Sequence, residues 1–256
     1  SVIMAGEEVA KLNPASALPI VAEGTETTPD VDDWDSFKLT ETAESDGSYT
    51  YIYTAKSSIW EKKEYIFRCF ESRFEYSVRV TGKGAVDSVN YFSGDISRDY
   101  GYGSTYEFQE YYTPVVSMTG QEPHYRTAMS DFNDFSYLTV PPMFVYTFRT
   151  EGIDGRLAMG LVAEKGEHNF TKFQYKTGSY ANLRHFYLVT DQSGHAVVDG
   201  TWETPRILVY TSENDKTALK AYSDYYYETG IAKKRPVNQE RPRWWYGPMA
   251  CGWIEQ

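Results

Sequence analysis

The feature that most constrains this fold is an alternation with a period of two. From Arg73 to Val80, the side chains of Phe74, Tyr76, Val78 and Val80 fall on one side, and those of Arg73, Glu75, Ser77 and Arg79 on the other. Successive strand side chains point to opposite faces, so the pattern predicts a half-buried antiparallel strand. Strand-like runs recur at Tyr49 to Thr54, Glu64 to Phe70, Val86 to Phe92, Thr105 to Tyr112, Met143 to Thr150, Arg156 to Glu164, Phe170 to Thr177, Leu183 to Thr190 and Arg206 to Thr211. Turn residues separate them: Glu71-Ser72, Gly82-Lys83-Gly84, Ser93-Gly94, Lys165-Gly166-Glu167, Gly178-Ser179 and Gln192-Ser193-Gly194. Short strands at regular spacing, with turns between, predict a mainly β protein with a large antiparallel β-sandwich over residues 36–211, not a βαβ repeat.

The segments around this region differ in character. Residues 1–35 contain Pro14, Pro19, Pro29 and an acidic end at Asp30, Asp32, Asp33 and Asp35. They read as an extended or poorly ordered arm, in which Val2 to Met4 and Ser16 to Ala22 are candidate edge strands. The acidic end reads as a solvated loop; it lacks EF-hand spacing for calcium. Residues 212–238 read as a helix and linker. Ser212 is the expected N-cap, with Asp215 three residues on. Ala218, Leu219, Tyr222, Tyr225 and Tyr226 form an apolar stripe that reads as packing. Gly230 is the expected residue just past the helix end. Lys233, Lys234, Arg235, Pro236 and Pro242 then carry the chain onward as an extended linker.

Residues 239–256 read QERPRWWYGPMACGWIEQ. Met249 to Ile254 is a short apolar run after a Gly-Pro, as in a buried strand. It reads either as a closing strand of the sandwich or as the first strand of a further, truncated domain, the latter favoured. The order of β-rich region, one amphipathic helix, Lys/Arg/Pro linker and WWYGPMACGW resembles a join found in retaining α-glycosidases. There the N-terminal β-supersandwich, of galactose-mutarotase-like form, meets a (β/α)8 TIM barrel. The α-glucosidase, α-xylosidase and α-galactosidase families share this plan. The resemblance spans the chain in architecture and is specific only over about residues 206–256. It implies that the two catalytic carboxylates of the family lie on later barrel strands, so that no catalytic residue is expected in this segment. If Met249 to Ile254 is the first barrel strand, Trp253, Glu255 and Gln256 lie at the catalytic end. Trp253 could then stack on a sugar face and Glu255 could bond a sugar hydroxyl. The bland alternative makes them ordinary residues of an edge strand.

Composition narrows the function classes. The net charge of −11 argues against gripping a phosphate backbone. No run approaches the roughly 18 apolar residues of a membrane span. The cysteines Cys69 and Cys251 make no disulfide framework, and His124, His168, His185 and His195 lack metal-ligand spacing. No metal and no cofactor are expected, and neither nucleic acid nor membrane is an expected partner. The chain is rich in Tyr (23) and Phe (13), which suits strands and also sugar-facing surfaces. Residues 94–103 and 113–142 read as long, aromatic-rich loops on either side of the Thr105 to Tyr112 strand. They pack over the end of the sandwich or, as the resemblance implies, reach a neighbouring barrel and wall its sugar pocket.

The leading reading is therefore the non-catalytic N-terminal region of an α-glycosidase-like glycoside hydrolase, with carbohydrate and its own downstream barrel as partners. The segment alone is expected to be inactive, because retaining hydrolysis needs two carboxylates about 5–5.5 Å apart. A stand-alone carbohydrate-binding or cell-surface β-sandwich is the alternative. An independent enzyme with carboxylates in the 94–137 loops is the third and least favoured.

Overall fold

The computed structural model describes residues 1–22, 27–94, 103–113, 126–128, 144–180 and 183–234, together with residues 240, 242–243 and 247. Its strands are β1 (Val2–Met4), β2 (Glu7–Lys11), β3 (Ile20–Val21), β4 (Thr27–Thr28), β5 (Asp32–Ala43), β6 (Tyr49–Ser57), β7 (Lys62–Cys69) and β8 (Arg73–Tyr91). They continue with β9 (Ser104–Tyr106), β10 (Glu110–Tyr112), β11 (Arg126–Thr127), β12 (Val145–Arg149), β13 (Arg156–Val162), β14 (Lys172–Tyr180), β15 (Leu183–Glu203) and β16 (Arg206–Ser212). The helix α1 (Asp215–Glu228) follows.

The strands form one continuous antiparallel network. Its main path runs β1-β2-β9-β15-β8-β16-β13-β12-β10-β11, and β7, β6 and β5 branch from β8. The expected mainly β class is observed. The network folds back on itself, because strands that share no ladder meet through their rings. Phe148 of β12 lies 5.5 Å from Tyr175 of β14 and 6.0 Å from Phe186 of β15, ring centre to ring centre. Phe108 stacks on Tyr106 at 4.2 Å and tilts against Phe148 at 4.4 Å. Such offset and edge-to-face ring pairs add about 0.5–1.5 kcal/mol each beyond simple burial. The arrangement is consistent with a β-sandwich filled by aromatic side chains. No start of a barrel is seen among the described residues.

Two glycine-marked turns of the sequence lie inside strands. β8 continues through Gly82-Lys83-Gly84, and Gly82 faces Gly200 of β15. Both adopt positive φ, 149° and 109°, a region that disfavours other residues. The two longest strands thus change direction at one rung without breaking. Gln192-Ser193-Gly194 is likewise a bulge within β15, where the register with β8 jumps between Asp191 and Ala196. An inserted residue that twists a ladder uses the same residue types as a turn. Thr105 to Tyr112, expected as one strand, is two: β9 pairs with β15 and β2, while β10 pairs with β12 and β11. Phe108 between them is fully buried.

The N-terminal segment contributes to the core from Val9 onward. β1 and β2 form a hairpin, and β2 joins the sheet through β9. Ala15, Ala17 and Leu18 are buried, and Ile20 pairs with Val86 of β8. An arm that supplies its own apolar side chains to the sheet is held by burial, which its prolines conceal in the sequence.

Candidate functional site

Trp253, Glu255 and Gln256 lie outside the described residues, as do most of the 94–137 loops. Three other places concentrate the chemistry of the described residues: a buried charge cluster, an exposed aromatic platform beside it, and the seat of the helix.

The cluster forms where the N-terminal arm crosses β7. Lys63 alternates with residues that face the other side of β7, and its side chain turns inward at 1% exposure. Its Nζ donates to Asp30 Oδ2 at 2.5 Å and to Asp32 Oδ1 at 2.9 Å. Asp30 also accepts the backbone N–H of Leu18 at 2.7 Å, and Asp32 accepts the Tyr65 hydroxyl. The Trp60 indole N–H donates to the Leu18 carbonyl at 3.0 Å. Tyr76 approaches Ser16 Oγ at 2.6 Å and donates to the Pro14 carbonyl at 2.9 Å. Asp30 and Asp32, expected in a solvated loop, are thus buried. The acidic run looked soluble because the cation that compensates it sits some thirty residues away.

One cation faces two carboxylates, so the cluster holds a surplus negative charge. Burial raises the carboxyl pKa of Asp32, against the opposing pull of Lys63 and Tyr65. Burial alone would lower the pKa of Lys63; the two carboxylates reverse that and raise it. The Tyr65 hydroxyl is raised well above its ordinary value, first by burial and then by Asp32. Perturbed groups of this kind mark active sites, but they also mark structural ion networks. With exposures of 0%, 1% and 6% for Asp30, Lys63 and Asp32, no substrate reaches the cluster. Its chemistry is that of a latch: it ties Pro14, Ser16, Leu18, Asp30 and Asp32 to the sheet.

Outside the latch, Phe37 stacks on Tyr65 at 5.9 Å, and Trp34 stacks on Phe37 at 5.0 Å with the rings 8° from parallel. Trp34 is 51% exposed. Among the described residues the strand that carries both, β5, pairs only with β6 and forms an edge. The platform has one signal in the sequence, Trp34 set among Asp32, Asp33 and Asp35.

The helix seat is built mainly from neutral groups, with one ion pair and one tyrosine–carboxylate bond. The N-cap is Asn214, which accepts from the Thr217 N–H at 3.0 Å, while the Thr217 hydroxyl accepts from the Asn214 N–H at 3.1 Å. The expected cap, Ser212, is the last residue of β16; Asn214 is as good a cap and sits one residue before the helix. Asp215 accepts from Thr147 at 2.5 Å and pairs with Arg156 at 3.1 Å. Tyr210 donates to the Ala218 carbonyl at 2.7 Å, and Tyr222 and Tyr226 both donate to the Leu161 carbonyl. Tyr225 donates to Glu75 at 2.9 Å, so the helix covers Glu75 on the polar face of β8. The C-cap is Thr229, and Gly230 follows with φ of 77°, the position expected from the sequence. Of the expected stripe, Ala218 and Tyr225 are buried, and Tyr222 and Tyr226 pack partly buried around them.

No family model matches the chain, and no curated protein matches it. A solved structure described as the crystal structure of a beta-arabinopyranosidase is similar to it, with a TM-score of 0.36 and 10% identity. The match covers 81% of this chain and 35% of that one. A likeness of this size has no bearing on function, and the class defined by the fold is a mainly β protein with one large antiparallel sheet, consistent with a β-sandwich, and a docked helix.

Proposed function

We propose that this chain is the non-catalytic N-terminal region of an α-glycosidase-like glycoside hydrolase, which supports a downstream barrel and partly walls its sugar site. The observation that carries this reading is the seat of α1. Asp215 fixes its first turn, four tyrosine hydroxyls fix its body, and the Ala232 N–H closes on the Tyr226 carbonyl at 2.9 Å beyond its end. A helix locked along its whole length delivers the following chain to a fixed point, as a rigid spacer between two domains must. In this reading Trp253, Glu255 and Gln256 belong to the sugar-binding end of the first barrel strand.

The test is to read the coding sequence beyond Gln256 and to assay the extended and the 256-residue proteins on aryl α-glycosides. The expected result is a barrel-like continuation, turnover by the extended protein and none by the shorter one. A stop codon directly after Gln256, or turnover by the shorter protein that one carboxylate substitution in the 94–137 loops abolishes, would overturn the reading.

The Trp34–Phe37 platform favours a second reading, a glycan-binding β-sandwich in its own right. A large exposed ring held rigidly by a second ring offers a flat apolar surface at little cost in side-chain entropy. Retention of the chain on immobilised glycans, lost on Trp34→Ala, would favour this second reading over the first.

A further inference from the structure

The face of the sheet that carries the core runs on past the core. Leu39 of β5 lies opposite Tyr53 of β6, Glu41 opposite Tyr51 and Ala43 opposite Tyr49, and Tyr53 lies opposite Tyr65 of β7. Opposed residues share a face, so these side chains stand on the same side as the buried Tyr65. There the cover ends: Leu39 and Tyr49 are exposed, and Tyr51 and Tyr53 are half-buried. The Trp34–Phe37 platform joins this side through Tyr65, on which Phe37 stacks. The rings therefore form one strip. From the Asp33–Lys56 pair beside Trp34 to the Ala43–Tyr49 pair, the seven steps of β6 cover roughly 23 Å at ~3.3 Å per residue.

The strip is fixed before any ligand arrives. Tyr49 stacks on Tyr51 at 6.5 Å, Tyr53 and Phe67 meet edge to face at 6.1 Å, and the Tyr51 hydroxyl donates to Glu41 at 3.4 Å. The hydroxyls of Tyr49 and Tyr53 have no protein partner among the described residues. Lys38, Lys56, Lys62 and Arg68 alternate onto the opposite face, and Lys63 is buried in the latch. These three strands thus offer no free cation on this side.

We propose that the strip binds a neutral, unbranched polysaccharide chain laid along β5 and β6. Ring faces take the apolar C–H faces of successive sugars, and the two phenol hydroxyls and Glu41 meet sugar hydroxyls at the rim. A peptide backbone laid across these rings would leave its amide groups unmet. A side without a free cation disfavours uronate or sulfated chains, and a strip of this length exceeds a single terminal sugar. The inference rests on the glycan-binding reading given second above and extends it from one ring pair to a chain of stated class.

The test is native electrophoresis of the whole chain in gels cast with xylan, glucomannan, hydroxyethylcellulose or polygalacturonate. At least one neutral polymer should retard the protein, and polygalacturonate should not. In calorimetric titration, the hexasaccharide of the retarding polymer should bind more tightly than its disaccharide. Trp34→Ala and Tyr49→Ala, at opposite ends of the strip, should each weaken the hexasaccharide by about two- to tenfold, the range of one aromatic contact. Tyr49→Phe, which keeps the ring, should retain most of the affinity, and unchanged urea midpoints should show all three variants folded. Retardation by none of the neutral polymers overturns this inference and the glycan-binding reading together. Retardation that depends on Trp34 and not on Tyr49, or equal affinity for disaccharide and hexasaccharide, overturns the strip and leaves that reading standing. Equal retardation by polygalacturonate overturns the neutral class. Self-association in sedimentation that Leu39→Lys abolishes, without retardation by any polymer, would make the strip a protein contact and overturn the proposal.

Discussion

Two attachments hold the periphery of this molecule to its sheet, and they use opposite physics. The N-terminal arm is fastened by buried charge, Lys63 between Asp30 and Asp32. The helix is fastened mainly by neutral tyrosine hydroxyls on backbone carbonyls, with one partly exposed ion pair, Arg156–Asp215. Buried charges are each stabilised only by the others, so removing one strands the rest. Neutral hydrogen bonds are worth about 0.5–1.5 kcal/mol apiece and fail one at a time. The arm is therefore held all-or-none, and the helix by increments.

Lys63→Met is the severest way to break that contrast. It leaves two carboxylates buried without a cation and should cost about 3–5 kcal/mol in urea unfolding. Adding Asp30→Asn and Asp32→Asn should recover most of the loss. A single substitution that costs under about 1 kcal/mol would show that the arm is held by its apolar contacts alone. The same latch predicts a pH signature. The pKa values of Lys63 and Tyr65 are raised in the fold, so their stabilisation is complete below the unfolded values and is lost as pH rises through about 10 and beyond. The raised carboxyl of Asp32 acts in the acid range with the same slope: its ionisation opposes folding, so stability gains as pH falls toward the unfolded value of 3.8. Denaturation midpoints across pH should show both limbs, and Asp32→Asn should flatten the acidic one.

A milder effect is expected at the helix. A methyl group on Gly160 would meet the Tyr222 ring at 2.5 Å, and an aromatic ring in a packed seat cannot yield as a flexible tail does. Gly160→Ala should cost about 1–3 kcal/mol, with hydrogen exchange accelerated in α1 before the sheet. Tyr222→Phe should cost less, near the lower end of about 0.5–1.5 kcal/mol, because Tyr226 donates to the same Leu161 carbonyl. An equal cost for Tyr222→Phe and Lys63→Met would erase the distinction between the two attachments. The smallest effect on stability belongs to Trp34→Ala. This exposed ring should change the unfolding free energy by less than about 0.5 kcal/mol, so any loss of glycan retention would report on binding and not on folding.

The strands and the helix were legible because both follow from local periodicity. Phe74, Tyr76, Val78 and Val80 announced one face of β8, and the tyrosine stripe announced the seat of α1. On the opposite face of β8, the covered position of Glu75 was not legible, because Glu75, 6% exposed, accepts from Tyr225, which lies 150 residues away. The latch was hidden for the same reason: a carboxylate beside its neighbours in sequence looks solvated until its lysine is known. Gly82 and Gly194 were read as turns because a bend within a ladder and a turn between ladders call for the same residue.

The matched bend at Gly82 and Gly200 has a consequence for how the molecule is assembled. The ladder that contains it joins Arg79 to Glu203, a sequence separation of 124. β7 can zip onto β8 early, through the three-residue link between them, but the other edge of β8 must wait for β15 and β16. Closing so distant a contact is entropically slow, and until then a nineteen-residue strand keeps one row of amide and carbonyl groups open. In that interval the half-made sheet is a template for any passing strand. Refolding yield should fall with protein concentration for this reason, and the glycine pair sits at the rung where correct registration of the two long strands is decided.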